Sequence, residues 1–266
     1  MTSPSHPSSP ADLLRSVLTL AAIVGTIAVN AWTNIEPIGG QNIGEIANTV
    51  FADVLIIPAS YAFAIWGVIY LGLVAFGIWQ LLPAQRTNPT IRKVDYLVIF
   101  ASIAQAIWVF LFLLREFWGS VVAMLAILLS LIAIYRLLGI GLRRISRQEK
   151  WFAHIPFSIY LGWISVATIV NVASALFYNN WDGWGLAPEI WTVLVMSIAT
   201  AIGAILTLQR RELAYPLVIV WALVAVAIRQ SDFAIVSITA IVLAIGLAIL
   251  TLVNHLGWGR KRPWVE

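Results

Sequence analysis

Four tryptophans lie far from any polar segment: Trp66, Trp108, Trp163 and Trp221. An indole offers a broad flat apolar face and one N–H donor that wants an acceptor when buried. Gln105, Ser165, Thr168 and Asn171 lie in the same apolar runs as Trp108 and Trp163. Away from water each of these must find a partner, usually on another helix. Two readings follow. The aromatic and amide groups either line a pocket for a flat apolar molecule, or they are ordinary core packing with interhelical hydrogen bonds.

Bond-making chemistry is not expected. There is no cysteine, which excludes disulfides, thiolate metal sites and covalent c-type haem attachment. The three histidines, His6, His154 and His255, fall in a tail or at the ends of apolar runs and form no ligand cluster. No paired carboxylates or Ser-His-Asp set stands out, so no catalytic residue, no metal ligand and no required cofactor is assigned. Asp12, Asp95, Arg136, Glu189 and Arg229 all fall near run ends, where snorkelling is cheap. An ion-coupled pump usually needs an ionisable group at mid-membrane, so this placement argues against one.

The elements that carry these residues are membrane spans. Of 266 residues 61% are hydrophobic and 11% charged, against roughly 25% charged in soluble domains. About 20 apolar residues cross a bilayer core. Eight runs approach that length: Asp12–Trp32, Ala59–Leu82, Val94–Leu114, Trp118–Ile140, His154–Tyr178, Pro188–Leu208, Leu213–Ile228 and Phe233–His255. The expected fold is an all-α polytopic membrane bundle of about eight helices, five in a core and three beyond it. The seventh run is short, with a re-entrant loop as its alternative. The first is longer than the core of a cleaved leader and is read as retained.

Charge sets the orientation. With the N-terminus inside, 14 Lys and Arg fall in inside segments and 2, Arg115 and Arg229, outside. Basic residues favour the cytoplasmic side, so both termini are expected there, in a bacterial inner membrane or similar. The net charge of +4 thus reports topology, and no nucleic-acid partner is expected. The chain divides into a disordered Ser/Pro tail (1–11), a five-helix part (12–180), a three-helix part (181–257) and a basic tail (258–266). The 33–58 loop is external and longer than usual connections. It is either disordered or a packed lid, and its many apolar residues favour the lid.

Most of the 13 tryptophans suit interfacial belts. Trp32, Trp118, Trp181, Trp184 and Trp191 fit the outer belt, and Trp79, Trp151, Trp258 and Trp264 the inner one. The helical rise puts Trp66 and Trp108 about 10 Å below the outer ends of their runs, and Trp163 near the midplane.

The stretch Pro58-Ala-Ser-Tyr61-Ala-Phe63-Ala-Ile-Trp66-Gly-Val-Ile-Tyr70 resembles the second-helix motif of the tryptophan-rich sensory protein (TspO/MBR) family. That family is also called the translocator protein or peripheral benzodiazepine receptor family. Tyr160-Leu-Gly-Trp163-Ile-Ser-Val-Ala167-Thr168-Ile-Val-Asn171 is similar to its fifth-helix motif, and Gln105-Ala-Ile-Trp108-Val-Phe-Leu-Phe112 is a weaker third-helix match. The motif resemblance covers about residues 12–180 and leaves the last three runs outside it. Departures include the loop, where only Pro58 remains of the usual proline pairs, and the displacement of a proline to Pro156. No cholesterol-type pattern follows Tyr178.

The resemblance implies a five-helix bundle that binds porphyrin, haem or similar flat hydrophobic molecules in a sensory, regulatory or transport role. It implies a ligand site of Tyr61, Phe63, Trp66, Tyr70, Gln105, Trp108, Trp163, Ala167 and Asn171. Competing classes are a structural membrane subunit and a protein that degrades porphyrin in light. Expected partners are membrane lipid and the small ligand. Gly67, Gly72 and Gly77 suit either a homodimer contact or packing within the bundle.

Overall fold

The computed structural model describes residues 9–210 and 212–257. The expected N-terminal tail lies outside the described residues up to position 8, and the tail 258–266 lies outside them entirely. Among the described residues the chain is helix and connection, without strand. The main helices are α1 (Pro10–Ile35), α2 (Ile43–Thr49), α3 (Ile65–Trp79), α4 (Pro89–Leu113), α5 (Phe117–Leu137), α6 (Ile155–Tyr178), α7 (Pro188–Gln209), α8 (Ala214–Arg229) and α9 (Ala234–Gly257). A 3-10 turn, Ser60–Ala64, enters α3, and a π turn, Lys150–His154, enters α6.

Local chemistry sets the starts. Ser9 and Asp12 form a reciprocal capping box around Pro10 at the head of α1. Asn42 and Glu45 do the same for α2, and Asn88 caps α4 just before Pro89. Each satisfies amides that the first turn leaves open. Seven helical segments are long and apolar enough to cross a membrane, and α8 is a shorter apolar helix. Its 16 residues rise about 24 Å. The seventh run is thus one uninterrupted helix and not a loop that doubles back.

The helices pack in two groups. α1, α3, α6, α5 and α4 form a closed ring in that order, and α7, α8 and α9 form a triad joined to it mainly through α8 on α6. Hydrocarbon gives helices no hydrophobic reason to associate, so close approach at small residues counts. A Cβ on Gly162 would fall 3.0 Å from Val218 Cβ and 3.1 Å from the Tyr215 carbonyl oxygen, which marks the α6–α8 seam. A Cβ on Gly72 would fall 2.9 Å from Pro156 Cβ, and one on Gly77 2.8 Å from Leu20 Cδ1. Those two glycines therefore pack inside the bundle, while Gly67 faces open space.

Two expectations need correction. Asp12 and Asp95 do not snorkel. Arg15 (6% exposed) donates to Asp95 Oδ2 (0% exposed) at 2.9 Å and to Asp12 Oδ1 at 2.6 Å, and Arg92 closes on Asp12 at 2.7 Å. Arg15 also donates to the Arg86 carbonyl oxygen at 2.6 Å. Pairing across α1 and α4 gives these charges partners, which makes burial tolerable. Trp79 is not an interfacial anchor. It is buried, its ring 6.2 Å from Phe76 and 6.3 Å from Phe152.

Candidate functional site

Residues 36–58 form a packed lid over the end of the ring. Gly39 and Gly40, both at φ of 82°, turn the chain into α2. Positive φ costs glycine nothing, so the turn suits these residues. Ile46 and Ala47 on α2, and Phe51, Val54, Leu55, Ile56 and Ile57 after it, are buried against the bundle. Phe51 is the plug, with its ring 4.9 Å from Phe117, 6.1 Å from Phe112 and 6.3 Å from Phe177.

Beneath the lid is a cavity of about 310 Å³. Its aromatic wall comes from Phe63 on the 3-10 turn, Trp66 on α3, Trp108 and Phe112 on α4, and Trp163 on α6. Phe63 meets Trp163 edge-on at 5.8 Å, and Trp66 meets Tyr160 at 6.1 Å. Trp163 is 2% exposed, and its buried indole N–H has no acceptor. Trp108 is different. Its Nε1 donates to Asn171 Oδ1 at 2.6 Å, and Asn171 Nδ2 donates to Ser120 Oγ at 2.9 Å. That network joins α4, α6 and α5, so Asn171 also acts as interhelical glue.

The rim is amide-rich. Asn30 and Asn34 stand one turn apart on α1, while Asn42 and Asn48 lie at the two ends of α2, and Ser60 completes the set. The candidate residues fall into two groups. Phe63, Trp66, Trp108, Trp163, Ala167 and Asn171 line the cavity. Tyr61, Tyr70 and Gln105 do not. Tyr61 faces outward, its ring 5.1 Å from Trp221 of α8. Tyr70 is one turn past Trp66, and Gln105 one turn before Trp108, so both lie below the cavity. There Gln105 Oε1 accepts from Tyr160 Oη at 3.2 Å. The reading of the aromatic motifs overlooked the asparagine rim. The i, i+4 pair Asn30–Asn34 at the end of an apolar run was its available signal.

The donor set bears on what fits. Among the described lining residues there is no histidine, and Met124 is the side chain of axial-ligand type. Stacking surface and amide donors dominate instead.

A comparison with protein families matches TSPO-like protein over residues 16–253. The chain belongs to the TSPO-like family. The match extends across α7, α8 and α9, beyond the five helices on which the motif resemblance rests. Neither the curated proteins nor the solved structures give a match.

Within this TSPO-like chain the last three helices reach the lid directly. Arg229 Nη1 donates to Asn48 Oδ1 at 2.6 Å, and Nη2 to the Ala47 carbonyl oxygen at 3.2 Å. The Ala59 amide donates to the Ala225 carbonyl oxygen at 3.0 Å. Trp221 Nε1 donates to the Ala62 carbonyl oxygen at 3.2 Å. Both the α2 end of the lid and its return into α3 are thus held by α8.

Proposed function

We propose that this TSPO-like membrane protein binds a flat hydrophobic molecule of the tetrapyrrole class beneath its lid, in a sensory or carrier role. The observation that carries the reading is the convergence of Phe63, Trp66, Trp108 and Trp163 on one roofed cavity. Their faces supply the apolar area that a conjugated ring buries, while the side-chain amides of Asn30 and Asn42 at the rim offer donors to carboxylate edges. The Trp163 indole N–H is buried within the wall and has no acceptor. At about 310 Å³ the cavity is at the small end of ligand sites. A full macrocycle therefore requires displacement of Phe51 and the lid, which makes lid opening part of binding.

The test is a titration of purified full-length protein with iron-free protoporphyrin, read by tryptophan quenching and the shift of the porphyrin absorption band. Saturable quenching with a band shift is expected, and a Trp66→Phe, Trp163→Phe double variant should bind at least about tenfold more weakly, because stacking contributes roughly 1 kcal/mol per ring pair. Haemin should bind no more tightly, since the wall holds few iron ligands. Equal binding by the double variant removes this site from the function.

A further inference from the structure

A second cavity, about 560 Å³, lies where the ring meets the triad. One wall is α6, through Thr168, Ile169, Val172, Ala173, Leu176 and Phe177. The facing wall is α7, through Pro188, Trp191, Thr192 and Val195. α6 and α7 touch little, because α8 carries the contact between the two groups, and the space between them stays open. The roof is the lid segment from Asp53 to Ile56. α6 thus serves both cavities: Ala167, Val170, Asn171 and Ser174 border the first, and the residues between them border this one. The two sites share a wall and a roof but no lining residue.

The chemistry of this cavity differs from that of the first. Its walls are apolar, and its rim carries two exposed carboxylates, Asp53 and Asp182, with no Lys or Arg among the described lining residues. The surrounding end of the molecule reinforces the sign. It holds Glu36, Glu45, Asp53, Glu116, Asp182, Glu189 and Asp232, against Arg115 and Arg229. Both guanidiniums are engaged, Arg115 with Gln41 and Arg229 with Asn48. Trp181 and Trp191 line the same mouth, their rings 5.1 Å apart. Trp191 Nε1 donates to the Gly183 carbonyl oxygen at 2.7 Å, which fixes the Asp182 loop over the opening.

We infer that this cavity is a second binding site, for a cationic amphiphile: an apolar chain or ring body bearing one ammonium group. The body fills the space between α6 and α7. The ammonium rests at the rim, against Asp53, Asp182 and the indole faces, where carboxylates and π-systems both favour a cation. A cavity of this size is in the range of small-molecule sites.

The experiment uses full-length protein in phosphatidylcholine nanodiscs and a nitroxide-labelled dodecyltrimethylammonium probe, which quenches nearby tryptophans. The control is a nitroxide-labelled dodecanol of the same chain length. The expected result is saturable quenching by the ammonium probe, about tenfold tighter than by the alcohol, from one cation–π contact and one carboxylate together. An Asp53→Asn, Asp182→Asn variant should remove that preference. Asparagine at 182 keeps the side-chain oxygen that accepts from the Trp184 amide, so the loop stays folded. A Trp66→Phe, Trp163→Phe variant should leave the ammonium signal intact, which separates this site from the first. Equal affinity for alcohol and ammonium overturns the proposal. So does quenching that rises without saturation, which is partition into lipid only, or a preference unchanged in the double asparagine variant.

Discussion

Arg229, the last residue of α8, donates to Asn48 Oδ1 in the lid helix at 2.6 Å across 181 positions of sequence. It joins the last three helices to the roof of a cavity that none of them lines. The triad is therefore more than an appendage. Through Arg229, Ala225 and Trp221 it is bonded to the lid and to the lid's return into α3.

Replacing Arg229 by Ala removes two hydrogen bonds from a charged donor to the lid. Such bonds contribute about 1.5–3 kcal/mol when buried, and this one is partly exposed, so lid opening should become easier by about 1 kcal/mol. Amide exchange across 43–58 should speed up several-fold while exchange in α5 stays unchanged. Ligand association should speed up with it. Unchanged lid exchange would show that Arg229 does not hold the roof, which then rests on Phe51 packing and on the Ala59 and Trp221 bonds.

The Trp108–Asn171–Ser120 chain predicts a loss of stability separable from stacking. Asn171→Leu leaves the Trp108 indole N–H buried without its acceptor at 2.6 Å. An orphaned buried donor costs about 1–3 kcal/mol. Thermal unfolding in detergent should come several degrees earlier. The Trp108→Phe, Asn171→Leu double variant should lose less than the two single losses combined. Additive losses would mean that the two side chains act independently.

Much of this was legible in the sequence and some was not, for reasons that differ by residue. Helix count and type followed from apolar run length, because a bilayer core leaves a chain few other options. Trp66, Trp108 and Trp163 were readable as deep because rise per residue converts position to depth. Which face of a helix a side chain takes depends on neighbours far along the chain. Tyr70 and Gln105 belong to the same motifs as the lining residues, yet lie a turn below the cavity. Arg15 with Asp95, and Arg229 with Asn48, are pairs separated by 80 and 181 positions. No local pattern announces such partners.

The buried ionic cluster gives a prediction opposite to that of a surface bridge. Asp95→Ala leaves Arg15 without its 2.9 Å partner in a site that excludes water. Breaking one member of a buried pair costs about 3–5 kcal/mol. The Arg15→Met, Asp12→Asn, Asp95→Leu triple variant removes the buried charges together and should recover most of that loss, since Asp12 is also held by Arg15 at 2.6 Å. Added salt should change the native protein's stability little, since screening hardly reaches buried charges. Strong salt dependence in a denaturation series would show that the cluster is open to solvent.

Orientation in the membrane rests on the distribution of charge and can be measured with little background, because the chain has no cysteine of its own. Ala52 lies exposed in the lid, and Gln148 lies exposed at the opposite, basic end before α6. Basic segments cross a membrane reluctantly while carboxylates exert little control, so the Arg-rich end should stay on the side of synthesis. In intact cells an impermeant maleimide should therefore label an Ala52→Cys variant directly. A Gln148→Cys variant should be labelled only after the membrane is opened. The reverse pattern would place the lid and both cavity mouths on the cytoplasmic side, and ligands would then have to reach them from within the cell.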